Sequence, residues 1–137
     1  MSDSTPRITT WADDRATYEA GLMSLFAGKP EDTESDLEKL FTPDFTIREP
    51  SDSGPMDLPT FVKHMRWLRE NVPSVKLTIT QFLRDGSQLA ERHTSTTILP
   101  DGTAAHAETF QFAEVAPDGR IAWIVENVAR GLKKSES

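Results

Sequence analysis

The chain has 137 residues, 36% hydrophobic and 27% charged, with a formal net charge of −7 and no cysteine. That is enough chain for one domain with its own core. The missing thiols exclude disulfides, thiol nucleophiles and thiolate metal sites, and the acidic balance argues against nucleic acid or an anionic membrane as a partner.

The opening Met1-Ser2-Asp3-Ser4-Thr5-Pro6-Arg7 has no basic start followed by an apolar stretch, and no run of about 18 apolar residues occurs, so a cytoplasmic protein is expected. Residues 1–11 read as a flexible tail, 12–131 as a single domain, and 132–137 as a second flexible tail. From Trp11 onward, Tyr18, Leu22, Leu25 and Phe26 recur at helical spacing until Gly28 and Pro30 stop the first helix. A second helix is predicted from the capping box Ser35-Asp36-Leu37-Glu38; it presents Leu37, Leu40 and Phe41 to the core, and Pro43 ends it. Phe45–Glu49 reads as a short strand that brings Arg48 or Glu49 next to the core, closed by Pro50 and the turn-rich Ser51–Pro55. The third helix starts near Asp57, with Pro59 in its first turn, and runs to about Asn71. Its stripe is Phe61, Met65, Leu68 and Val72, with His64 inside it. Val75–Leu83 alternates as a strand, and Asp85-Gly86 turns the chain back. A two- or three-residue loop would fit there, and the choice decides which strand face is inward.

The chemistry concentrates between His93 and Glu126. Asp101-Gly102, between two alternating segments, is a strong hairpin signal. Read as a two-residue turn, it sets His93 opposite Phe110, Ser95 opposite Glu108 and Thr97 opposite His106. Pro117-Asp118-Gly119 suits a three-residue loop, which sets Phe112 opposite Ile124 and Phe110 opposite Glu126. Side chains alternate along a strand, so one face is expected to carry His93, Ser95, Thr97, His106, Glu108, Phe110, Phe112 and Glu126. Rings, imidazoles and carboxylates on one face describe a pocket lining. Phe45, Phe61, His64, Met65 and Ile124 complete the expected substrate-binding wall. Trp123 has the parity opposite to Glu126 and belongs on the outer face or in a dimer interface.

Glu126 interrupts the apolar run from Ile121 to Val125. A carboxylate in a dry cavity is pushed toward the working pH and can act as general base or acid. His93 and His106 are the candidate proton carriers beside it, and Arg48 is a candidate partner for the acid or a binder of a substrate oxygen. No metal-ligand spacing, nucleophile elbow or glycine-rich phosphate loop occurs, so neither metal nor cofactor is expected.

Three stretches carry a resemblance. They are Leu40-Phe-Thr-Pro-Asp-Phe-Thr-Ile-Arg-Glu-Pro50, Leu83-Arg-Asp-Gly86 leading to Ala90-Glu-Arg92, and Asp118-Gly-Arg-Ile121 before Glu126. With the element order they resemble the SnoaL-like group of the nuclear-transport-factor-2-like superfamily, over about residues 12 to 130. The resemblance implies an α+β fold: three N-terminal helices packed on a strongly curved, mostly antiparallel sheet that forms a cone with an internal pocket, usually as a homodimer. It further implies catalysis by side chains alone, with Glu126 at the position of the acidic base, Arg48 at a pocket-facing site, and His93 and His106 on strands that supply catalytic groups. The Tyr and Asp pair of ketosteroid isomerase is missing, since the single tyrosine, Tyr18, lies in the first helix. The resulting expectation is a cofactor-independent acid/base enzyme that isomerises, cyclises or dehydrates a small apolar oxygenated metabolite, polyketide- or terpenoid-like. A non-catalytic ligand-binding or dimerisation module is one alternative. An epoxide hydrolase is another, although Arg92-His93-Thr94 stands where that chemistry has Arg-x-Asp.

Overall fold

The computed structural model describes residues 6–50 and 54–131. Helix α1 spans Arg15–Ala27, a single 3₁₀ turn follows at Pro30–Asp32, and α2 spans Thr33–Glu38. Strands β1 (Phe41–Arg48) and β2 (Met56–Asp57) precede helix α3 (Leu58–Asn71), and the long strands β3 (Ser74–Asp85), β4 (Gln88–Ile98), β5 (Ala104–Val115) and β6 (Ile121–Arg130) complete the chain. The strands form one mixed sheet in the order β2-β1-β6-β5-β4-β3. The β1–β6 pair is parallel and the other pairs are antiparallel. The sheet does not close, and the three helices cover one of its faces.

Local chemistry explains the helix starts. Asp14 and Asp57 sit in extended backbone and accept the amides of Thr17 and Thr60, at 2.9 and 3.0 Å, which satisfies one orphan donor of each helix. Proline in the first turn of α3 removes a donor that would have had no partner there.

The second helix differs from the sequence reading. It starts at Thr33 rather than Ser35, Ser35 Oγ donates to the Asp32 carbonyl, and Phe41 belongs to β1. The cause is tertiary: Phe41 pairs with Ile121, whose amide donates to the Leu40 carbonyl at 2.9 Å. Pro43 therefore lies inside a strand, at the register shift between Phe41 and Thr46, where an irregular edge tolerates a missing donor.

Residues 1–5 and 132–137 of the two expected tails, and Ser51, Asp52 and Ser53 of the expected turn, lie outside the described residues. Residues 6–11 of the first tail are described and anchored. The amides of Ile8 and Thr9 donate to the Asp118 carbonyl at 2.7 and 3.2 Å, and Trp11 stacks on Tyr18 in the core. A Cβ on Gly119 would fall 1.8 Å from the Thr9 carbonyl oxygen at φ +92°, so only glycine lets the two segments meet.

The roof is tied together by Arg69 of α3, whose side chain is only 1% exposed. Its guanidinium donates to the carbonyls of Ser24, Leu25 and Lys29 and to Asp36 at 2.8–3.0 Å, so it caps the C-terminal end of α1 and holds α2 in place. In the core, Phe41, Phe45 and Phe61 make mutual ring contacts. Arg69→Met should lower unfolding free energy by about 1–3 kcal/mol, because four acceptors, at Ser24, Leu25, Lys29 and Asp36, lose their common buried donor at once. Urea unfolding measures it, and a loss below about 0.5 kcal/mol, the level of an ordinary surface substitution, would show that water substitutes for the guanidinium.

Candidate active site

Strands β4, β5 and β6 supply the polar part of the inner wall, and their register decides which side chains reach it. The β4–β5 turn has three loop residues rather than the expected two. Gly102 lies at φ +87° and donates to the Leu99 carbonyl, and the Leu99 amide donates to Thr103. Ile98 thus pairs with Ala104, and His93 pairs with Thr109 instead of Phe110. The β5–β6 loop has its expected three residues, with Ala116 bonded to Arg120, but a bulge between Glu114 and Val115 then shifts the pairing by one. Gln111 therefore faces Glu126, and Phe112 faces Val125 instead of Ile124.

The two slips cancel across β5. His93 and Glu126 share the inner face as expected, while the residues of β5 exchange sides. Thr109, Gln111 and Ala113 point inward and are buried. His106, Glu108, Phe110 and Phe112, expected in the lining, lie on the outer face: His106 bonds to Thr96 at 3.1 Å, and Phe112 is 64% exposed. On β3, a two-residue loop and a bulge near Thr80 turn Val75, Leu77 and Ile79 inward.

Between this wall and the helices is a cavity of about 440 Å³. Its helical side is apolar, formed by Leu22, Leu25 and Phe26 of α1 and by Phe61, Met65 and Leu68 of α3. Its sheet side is mixed: His93, Ser95 and Thr97 of β4, Thr109 and Gln111 of β5 and Glu126 of β6 form a polar centre, flanked by apolar Val75 and Leu77 of β3 and Ile47 of β1. His64, Arg48, Glu49 and Arg130 also line it, and Arg130 is paired with Glu49 at 2.6 Å. Arg48 is exposed and in register with the outward Val125. Phe45 and Ile124 sit in the packed core and not on the cavity surface. A second hollow of about 530 Å³ lies over Phe41, Leu58 and Val62, but its Arg120 is committed to Asp118 and to the Glu38 carbonyl.

Two hydrogen-bonded groups stand on the polar wall. Nδ1 of His93 lies 2.8 and 2.9 Å from the two oxygens of Glu91, which is buried on the same strand face. The Tyr18 hydroxyl donates to Gln111 Oε1 at 3.0 Å, and Gln111 Nε2 donates to Glu126 Oε1 at 2.8 Å. Burial pushes both glutamates above the ordinary carboxylate range. The Gln111 hydrogen bond opposes the rise at Glu126, and the His93 hydrogen bond opposes it at Glu91. Burial likewise pushes the Tyr18 phenol well up, so it remains a neutral donor. Glu91, Gln111 and Tyr18 were missed in the sequence. Only parity with His93 pointed to Glu91, and only the correct β5 register could have pointed to Gln111. Among the described residues, no group of three or more His, Asp or Glu side chains is placed to hold a metal ion.

A family model described as the SnoaL-like domain matches residues 23–124. The chain belongs to the SnoaL-like family. No curated protein matches it by sequence. Among solved structures, it is similar to IdmH of Streptomyces antibioticus, a candidate polyketide cyclase, at 19% identity and TM-score 0.63, over 84% of this chain and 91% of that one. It is also similar to an NTF2-like protein of unknown function from Exiguobacterium sp. 255-15, at 15% identity and TM-score 0.64, over 82% and 94%. A third likeness is to an LEH-like epoxide hydrolase of M. tuberculosis, at 14% identity and TM-score 0.62, over 81% of each chain. Likeness at such identities establishes the fold, and SnoaL-like folds host several chemistries. No helix of the chain is long and apolar enough to cross a membrane.

The raised acids make stability depend on pH in a defined direction. Glu126 binds its proton more tightly folded than unfolded, so its stabilising contribution is full below the unfolded value of about 4.3. That contribution is lost as pH rises through the higher folded value. Glu126→Gln removes the titration and still accepts from Gln111. The variant should therefore gain stability relative to the parent as pH rises from 4 to 8. Urea midpoints across that range test this, and a constant difference would mean that Glu126 is solvated.

Proposed function

We propose that this SnoaL-like protein is a cofactor-independent acid/base enzyme that isomerises, cyclises or dehydrates a small apolar oxygenated metabolite, of polyketide or terpenoid character. The observation that carries this reading is Glu126, a carboxyl group raised by burial, on the wall of a cavity whose opposite side is hydrocarbon. In this reading the rings and alkyl chains of the substrate lie against Leu22, Leu25, Phe61 and Met65. Its oxygens meet Ser95, Thr97 and Thr109. Glu126 takes a proton from carbon or oxygen. His93 is its complement: with Nδ1–H donating to Glu91, Nε2 is left to exchange a proton with the ligand, and Glu91 holds the ring and stabilises the imidazolium. Arg48 and His64 meet the part of the ligand that reaches the mouth. The family resemblance supports a substrate from secondary metabolism.

The outer sheet face supports a homodimer in the same reading. Leu83, Phe110, Phe112 and Trp123 are large, apolar and exposed there, which a second copy of the face would cover.

Two outcomes separate an enzyme from a binding module of the same fold. On a substrate found from a panel of polyketide- and terpenoid-like compounds, Glu126→Gln and His93→Gln should each cut kcat by about 10²–10⁴, with ligand affinity nearly retained. A ligand that binds without turnover, equally well to parent and variants, would establish a binding module. For assembly, sedimentation of Phe112→Asp should give monomer where the parent gives dimer; a monomeric parent would remove the homodimer from the reading.

A further inference from the structure

Gln111 is hydrogen-bonded to both Glu126 and Tyr18, and its amide has two unlike ends. Tyr18 lies on α1 with its ring wholly buried between Trp11 and Phe82. A phenol has a single proton to give, and the acceptor the structure provides is Gln111 Oε1, at 3.0 Å. With that oxygen committed, the amide can turn only its NH₂ toward Glu126, and Nε2 meets Oε1 at 2.8 Å. An oxygen that already accepts from an N–H is the poorer site for a proton, so Oε2 is left to carry it.

We propose that Tyr18 is a positioning residue: acting through Gln111, it determines which oxygen of Glu126 exchanges a proton with a ligand in the cavity. The hydroxyl thereby links the helical roof to the reacting strand across three elements, α1, β5 and β6. This rests on the acid/base reading of Glu126 given above. Without the hydroxyl, the amide is free to invert, present Oε1 to Glu126, and accept from the protonated acid instead of donating to the carboxylate. Glu126 would then be held as a neutral acid over a wider pH range.

Other charged and titratable groups around Glu126 are Arg48 on β1 and Glu49 just after it, Glu91 and His93 on β4, Arg130 on β6 and His64 on α3. Of these, Glu49 raises its proton affinity, while His93 and Arg130 lower it. The bond to Gln111 Oε1 comes from the phenol, which gives Tyr18 the orienting effect.

The test is a pH titration of the full chain by NMR, following the ¹³C of the Glu126 carboxyl together with the side-chain amide of Gln111. In the parent protein, the Gln111 amide should titrate with the same midpoint as Glu126. In Tyr18→Phe, which keeps the ring and its packing, the Glu126 midpoint should rise by about one to two pH units. That is the size of one hydrogen bond to a charged group. A Gln111 amide blind to the Glu126 titration would overturn the proposal, as would an unchanged midpoint in folded Tyr18→Phe. If the variant does not fold, the Tyr18 hydroxyl proton of the parent decides: one protected from exchange and shifting with the Glu126 midpoint supports the proposal, and one blind to that titration overturns it. A failure of the enzyme reading looks different: no ligand from the panel would move the Glu126 resonance, while the shared titration of Glu126 and Gln111 would persist.

Discussion

Everything at the cavity depends on one constraint: a polar side chain removed from water must have a partner within reach. The inner face of β4, β5 and β6 carries Glu91, His93, Thr109, Gln111 and Glu126, an unusual load for a sheet face packed under helices. It is tolerable because the groups satisfy one another in two sets, Glu91 with His93 and Tyr18 with Gln111 and Glu126. The described residues leave no buried side-chain nitrogen or oxygen without a partner. The same constraint produces the chemistry. Burial raises the glutamates, hydrogen bonds restrain the rise, and groups poised between the two are suited to give and take protons.

The scaffold holds those partners in line. Tyr18 can reach Gln111 only if α1 lies across the sheet at the right height, and α1 is held at both ends. Near its start, Trp11 packs against Tyr18, Phe41 and the bare face of Gly21, and the segment before it is fastened to the Asp118-Gly119 loop. At its end, Arg69 gathers the last carbonyls and ties them to α3 and to Asp36 of α2. The aromatic cluster of Phe41, Phe45 and Phe61 packs between the helices and the sheet, and Phe61 also forms part of the cavity wall. The cavity is walled by helices and strands of one continuous sheet, most of its lining residues lying within these elements.

Much of this was legible in the residues. The start of α3 at Asp57 and Pro59, the strand at Val75–Leu83, the positions of the Asp-Gly turns and the outward parity of Trp123 were readable because each depends on neighbours a few positions away. The second helix was misread for the complementary reason: Phe41 has a helical neighbourhood, yet strand pairing with Ile121 claims it. The site was half legible. His93 and Glu126 reach one face because an extra loop residue at Pro100-Asp101-Gly102 and a bulge after Glu114 each shift the pairing by one, and the shifts cancel between β4 and β6. Between them β5 is reversed, which moves His106, Glu108, Phe110 and Phe112 outside and brings Gln111 in.

The residues pointed to the fold family by resemblance, and by themselves determined the start of α3, the turn positions and the presence of an acid among apolar neighbours. The last three follow from short-range sterics and period, which a linear string records. Only the tertiary structure decided the β5 register, the Glu91–His93 pair and the path from Tyr18 to Glu126. A strand has period two, so one bulged residue reverses every side chain beyond it, and the energy that selects the bulge comes from packing across the sheet and against the helices.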